Sequence, residues 1–203
     1  MADDRPSPDR RGPWTVQATR VVYDNPWITV REHDVTRPDG APGLYGVVSP
    51  KNLAIGILPV FANGDVMLVG QHRFPTDAWS WELPEGGGPA HEDPLATARR
   101  ELAEETGLTA KHWREFLRFD VSNCVTDERA IGFLAWDLDQ GEARPDGDEA
   151  ITTARAPFHD ALERAMTGDI ADGFTLAMLA KADYMARIGA LPPGLSDAIA
   201  ASR

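Results

Sequence analysis

The chain has 203 residues, 42% of them hydrophobic, which is enough to bury one substantial core and too few for two full-sized domains. A formal charge of −12 excludes a nonspecific binder of nucleic acid or of an anionic membrane surface, because phosphate backbones are held by clustered Lys and Arg. No apolar run is long enough to cross a bilayer, Met1-Ala2-Asp3-Asp4-Arg5-Pro6 lacks the basic-then-apolar start of a secretory signal, and Cys124 has no cysteine to pair with. A soluble, cytoplasmic protein without a disulfide or a cysteine zinc site is expected. An anionic small substrate stays open if a few arginines or a divalent metal cancel charge locally.

Residues 1–13, rich in Pro, Asp and Arg, read as a disordered leader. A small antiparallel β unit is expected over 14–50, with strands at 19–23, 27–35 and 44–48 separated by Asp24-Asn25-Pro26 and Arg37-Pro38-Asp39-Gly40. The main domain is expected over 51–190, followed by a C-terminal tail over 191–203. It opens with strands at 53–61 and 65–70, joined by Ala62-Asn63-Gly64-Asp65, whose Asn-Gly pair favours a tight hairpin. After a strand at 79–83, Pro84-Glu85-Gly86-Gly87-Gly88-Pro89 stacks proline and glycine and is expected to be irregular. A helix is predicted over 94–106, with Asp93 as N-cap, Pro94 at its first position and Gly107 just past its end. Strands at 113–121 and 130–138, an acidic loop over 139–149 and helices at 158–166 and 174–188 complete the order. Interleaved strands and helices with a strong hairpin component predict an α/β fold, a sandwich built on a mixed sheet.

On the predicted helix, Glu101, Glu104 and Glu105 fall within about 100° of one another, beside an apolar stripe of Leu95, Ala98, Leu102 and Thr106. Carboxylates at these spacings repel one another unless a cation is supplied, and Mg²⁺ is a hard ion that takes oxygen ligands. Acidic helix faces are commonly just solvated, so the spacing around them decides. From Gly86 there are five residues to Glu92, seven more to Arg100, and then Arg100-Glu101-Leu102-Ala103-Glu104-Glu105-Thr106-Gly107-Leu108.

This pattern resembles the Nudix hydrolase box, in which a glycine, a glutamate and an REUXEEXGU segment (U aliphatic) stand at these intervals. The resemblance implies an α/β/α sandwich around a mixed β-sheet, and cleavage of a nucleoside diphosphate linked to another moiety. It implies Glu101 and Glu105 as principal metal ligands, Glu104 as an additional or bridging one, and Mg²⁺, with Mn²⁺ as a substitute, as the cofactor. Gly86 is implied as the turn that lets the loop backbone near the metal, and Arg100 as an orienting partner. Its spacing to Glu104 independently suits an ion pair.

The flanks resemble a subgroup. Gln71-His72-Arg73 and Trp81-Glu82-Leu83-Pro84-Glu85-Gly86 are similar to stretches of ADP-ribose pyrophosphatases and related nucleoside diphosphate sugar hydrolases. Arg73 then contacts a substrate phosphate, and Glu82 and Trp27 are further substrate-binding candidates. Glu85 stands where that motif usually has alanine; the resemblance implies a backbone carbonyl as metal ligand there, to which Glu85 adds a further carboxylate, so Glu85 joins the candidate metal ligands. Asn123-Cys124-Val125-Thr126-Asp127-Glu128-Arg129 resembles the loop that supplies the catalytic glutamate, so Glu128 is the expected base, with Asp127 in reserve. The proline that ADP-ribose-specific members carry beyond the box is missing from Val121-Ser122-Asn123-Cys124, which leaves GDP-mannose or another diphosphate as an alternative to ADP-ribose. A non-catalytic, nucleotide-sensing domain is the remaining alternative. The β unit matches in position an extension that such enzymes pack across a homodimer, where Trp14 and Trp27 are candidates for stacking on the base. The expected partners are thus a small nucleoside diphosphate substrate and a second copy, without nucleic acid or membrane.

Overall fold

A computed structural model describes residues 9–143 and 150–202. The described backbone divides into two units, one of residues 9–52 with 120–128, the other of 53–119 with 129–143 and 150–202. The acidic loop expected over 139–149 lies for the most part outside the described residues, as do residues 1–8 of the expected leader.

The first unit is an antiparallel sheet of β1 (Asp9–Arg11), β2 (Trp14–Asp24), β3 (Ile28–Thr36) and β4 (Pro42–Pro50) in that order. Its strands run longer than composition suggested, and Asp9–Arg11, read from sequence as part of a disordered leader, pairs with Trp14–Val16 instead. Asn25 makes the first long turn, its Oδ1 accepting from the N–H groups of Trp27 and Ile28 at 2.9 and 2.7 Å, the local bond that suits Asn to turns. The second closes where Gly40 N–H donates to the Arg37 carbonyl at 2.9 Å. Residues 120–128 belong to this unit because they lie along β4. Val48 N–H donates to the Val125 carbonyl at 2.9 Å, and the Tyr45 hydroxyl donates to the Cys124 carbonyl at 2.8 Å.

The second unit carries a mixed sheet in the order β11 (Thr152–Pro157), β6 (Asp65–Arg73), β5 (Asn52–Val60), β10 (Arg129–Gln140) and β9 (Leu108–Asp120). β10 runs parallel to β5, whereas β11 and β6 are antiparallel. The parallel pair is buried on both faces and is therefore apolar at nearly every position. Along β5, Leu53, Ile55 and Ile57 point to one side, where Ala98 and Leu102 of α1 (Pro94–Thr106) pack; Ala54, Leu58 and Val60 point to the other. That other side is covered by α2 (Phe158–Thr167), α3 (Gly173–Arg187) and α4 (Leu195–Ala201), through Phe158, Ala161, Met178, Leu179, Leu195 and Ile199. Residues 191–202, expected as part of a C-terminal tail, instead pack: Leu191, Leu195 and Ile199 recur every fourth residue and bury in the core.

The helix expected over 94–106 spans those residues. Asp93 caps it, its Oδ1 accepting from Leu95 N–H at 3.1 Å, and Gly107 ends it at φ 71°, a left-handed conformation in which a Cβ would also lie 2.7 Å from neighbouring backbone atoms. β5 and β6 pair directly at Val60 and Val66. β7 (Ala78–Glu82) lies along β6 at Val69–Arg73, and β8 (Glu85–Pro89) lies along β5. The glycine-rich segment expected to be irregular is therefore a strand. Glycine adopts the extended conformation readily, and its missing side chains let β8 sit directly against α1.

Between β7 and β8 the chain is tied on both sides. Ile57 N–H donates to the Pro84 carbonyl at 2.8 Å, and Leu83 N–H donates to the buried Thr175 hydroxyl of α3 at 2.8 Å. Thr175→Val, which keeps the shape and removes the acceptor, leaves that amide unpaired. It should lower unfolding free energy by about 1–3 kcal/mol, read from urea denaturation.

Candidate active site

The carboxylate-bearing face of α1 meets β8 where Gly86 has no side chain. A Cβ there would lie 2.2 Å from the Glu101 carboxyl carbon, so any other residue would displace either the strand or that carboxylate. Gly88 is seated in the same way on the side chain of Thr97. Glu101 and Glu105, one helical turn apart, are both buried, and Glu105 Oε2 accepts from the backbone N–H of Glu85 at 3.1 Å. Glu104 is half-buried beside them.

Arg100 links two of these carboxylates. Its Nη2 donates to Glu101 Oε1 at 2.8 Å and to the Gly87 carbonyl at 3.3 Å, while Nη1 donates to Glu104 Oε2 at 2.7 Å. The ion pair anticipated from the four-residue spacing is formed, and a second one to Glu101 comes with it. Among the described residues no three carboxylate, imidazole or thiol groups already converge as a metal cage. The donor set still fits a hard divalent ion: carboxylate oxygens on one buried helix face, with a glycine backbone against them in place of a side chain.

A second cluster adjoins it. Arg73, at the end of β6, donates through Nε to Glu82 at 2.9 and 3.1 Å, through Nη2 to Glu82 again, and through Nη2 to Glu85 Oε1 at 2.7 Å. Hydrogen bonding to Glu82 holds the guanidinium firmly charged, helped by Glu82 and Glu85 as neighbouring charges against the cost of burial. Burial drives the Glu85 carboxyl well above the usual carboxylate range, with Asp172 and Glu82 adding repulsion and Arg73 opposing. Glu85, proposed from sequence among the metal ligands, thus directs its carboxylate to Arg73 and only its backbone to Glu105. The Glu82 side chain is 3% exposed and occupied by Arg73, a supporting position beneath that arginine. Asp172, which sequence reading passed over, caps α3 through Thr175 N–H at 2.6 Å and adds its charge to this cluster. Its place just ahead of a helical stretch was the available signal.

Glu128 and Trp27 belong to the first unit. Glu128 is half-buried, and burial raises its carboxyl above the ordinary value. Its backbone is fixed by Val121 N–H donating to the Glu128 carbonyl at 3.2 Å and by its own N–H donating to the Thr126 hydroxyl at 3.0 Å. Asp127, the reserve base, is engaged: Ser49 Oγ donates to its Oδ2 at 2.9 Å while accepting from Arg31 Nη1 at 3.0 Å. Trp27 is 70% exposed, whereas Trp14 is half-buried edge-on to Tyr45, with ring centroids 5.4 Å apart.

Comparison with known proteins matches two family models. Residues 14–48 match the nucleoside diphosphate sugar hydrolase N-terminal domain and residues 50–175 the NUDIX domain. Among curated relatives, the CMP-5'-(N-acetyl-N-hydroxy-3-aminopropyl)phosphonate hydrolase of Streptomyces rubellomurinus is 31% identical over 82% of this chain and 81% of its own. The ADP-ribose pyrophosphatase of Bacillus subtilis is 31% identical over 78% of this chain and 86% of its own. A crystal structure of an ADP compounds hydrolase shares the fold at 17% identity, with a TM-score of 0.78, covering 90% of this chain and all of that one. The residues that seat β8 on the carboxylate face of α1 are those of the NUDIX match, and the chain belongs to the Nudix family of hydrolases, with an N-terminal domain of the nucleoside diphosphate sugar hydrolase type.

Proposed function

We propose that the chain hydrolyses the diphosphate linkage of a nucleoside diphosphate sugar, with ADP-ribose, split to AMP and ribose 5-phosphate, as the leading substrate. The observation that carries this reading is the pair of buried carboxylates, Glu101 and Glu105, one turn apart on α1 against the bare backbone of Gly86. Glu101, Glu105 and Glu104 would hold Mg²⁺, or Mn²⁺ in its place, since hard ions take carboxylate oxygens. When bound, the ion offsets phosphate charge and makes a water nucleophilic near neutral pH.

The chain's own residues do the rest. Arg100, paired with Glu101 and Glu104, holds those carboxylates in fixed rotamers. Arg73 meets a phosphate oxygen of the substrate, kept in position by Glu82. Glu128 accepts the proton of the attacking water, and Trp27 offers an exposed ring for stacking on the nucleobase. The ADP-ribose pyrophosphatase relative supports ADP-ribose as the substrate. The phosphonate hydrolase relative, named for a CMP-linked compound, supports a second reading in which the same chemistry acts on another nucleotide conjugate, GDP-mannose included.

Phosphate-coupled hydrolysis of ADP-ribose, GDP-mannose, CMP-linked conjugates, dinucleoside polyphosphates and nucleoside triphosphates, each with Mg²⁺, Mn²⁺ or EDTA, separates these. ADP-ribose should turn over fastest and EDTA should abolish turnover. Preference for another conjugate would overturn the substrate and keep the class.

Glu105→Gln should remain folded by circular dichroism yet lose kcat by about a hundredfold or more. Near-normal turnover in the folded variant would remove Glu105 from the metal site.

Glu128 acts ionised, and its carboxyl is raised by burial, so kcat/KM should fall with decreasing pH through a limb lying above the usual carboxylate range. Glu128→Gln should lower kcat by about 10²–10⁴ with a smaller change in KM, and that acid limb should vanish from the pH profile. A limb that persists unchanged assigns the base to another group.

A further inference from the structure

A guanidinium offers an oxyanion two forks, a side-on one from Nε and Nη2 and an end-on one from Nη1 and Nη2. In Arg73 the side-on fork is filled by Glu82, whose side chain is almost fully buried. The remaining Nη2 hydrogen goes to Glu85 Oε1 at 2.7 Å. Nη1 has no hydrogen-bond partner among the described residues, and the Arg73 side chain is 38% exposed, so the arginine reaches solvent with one prong of its end-on fork open and the other capped by a carboxylate.

We propose that Glu85 is a specificity-determining residue: by occupying one prong of the Arg73 end-on fork with its carboxyl oxygen, it disfavours terminal phosphates and selects phosphates internal to a diphosphate bridge. The proposal rests on the hydrolase reading above and adds a selection rule to it. A terminal phosphomonoester has three equivalent free oxygens and, with a second pKa of about 6, is largely dianionic at neutral pH, so it gains most from a two-pronged donor and loses most when one prong is taken. A bridging phosphate esterified on both sides carries one charge and two free oxygens, and a single prong serves it. The products of hydrolysis are themselves phosphomonoesters, so the same carboxylate weakens their retention. Glu85 holds Glu105 through its backbone N–H alone, and side-chain substitution leaves that donor in place.

The test compares Glu85→Ala and Glu85→Gln with the unsubstituted chain. Ribose 5-phosphate binding is measured by calorimetry without metal, and its Ki is measured against turnover of the preferred diphosphate substrate. Affinity for ribose 5-phosphate should rise about tenfold in Glu85→Ala, which opens the prong, and by less in Glu85→Gln, which keeps an acceptor on Arg73. The ratio of that Ki to the substrate KM should fall in parallel. A purely structural role would weaken both ligands together and leave the ratio unmoved, which overturns the proposal. Unchanged or weaker ribose 5-phosphate binding in the variants overturns it as well. If Glu85→Ala does not fold, Glu85→Ser, whose side chain is too short to keep this contact with Arg73, decides. Failure of the unsubstituted chain to turn over any diphosphate would sink the hydrolase reading instead, while calorimetry still decides on the masking.

Discussion

Gly86 and Gly88 bring β8 closer to α1 than any strand bearing side chains could come. At that separation the Glu85 N–H reaches Glu105 Oε2, and the Glu101 carboxylate fills the space a Cβ would need. The rotamers of the two buried carboxylates are therefore set by the backbone packed against them. The strand is held in turn by bonds on both sides of Pro84, from Ile57 of the sheet and to Thr175 of α3. Close packing has a local cost: the Thr97 hydroxyl beneath Gly88 is buried with no hydrogen-bond partner among the described residues.

Electrostatics follows from that packing. Glutamates outnumber arginines on this face, with Glu101 and Glu104 sharing Arg100, and Glu82 and Glu85 sharing Arg73. The two arginines orient the carboxylates without neutralising them, which leaves an excess of negative charge that a substrate phosphate cannot approach unaided. A divalent ion relieves the repulsion and supplies attraction for phosphate at once, and for that reason a strongly acidic chain suits an anionic substrate.

Local chemistry made α1 readable from sequence, because Asp93, Pro94 and Gly107 specify its ends without help from the rest of the molecule. The spacing from Gly86 to Leu108 carried the family for the same reason. β8 was not readable, since an extended glycine run is stabilised by what it packs on and has no pattern of its own. α4 was missed because its short apolar repeat of Leu191, Leu195 and Ile199 has meaning only against the core it enters. β11 was missed because Thr152 to Pro157 follow an acidic segment and offer little apolar alternation to set beside their pairing with β6. The direction of the Glu85 side chain was hidden as well: nothing in the sequence shows that its carboxyl accepts from Arg73, twelve residues earlier.

The same distinction separates Asp127 from Glu128. In sequence they are adjacent carboxylates on one polar loop and nothing ranks them. In the folded unit Asp127 is tied to Ser49, itself held by Arg31, while β4 fixes the loop backbone on either side. Asp127 thus carries a structural contact, while burial raises the Glu128 carboxyl above the ordinary value.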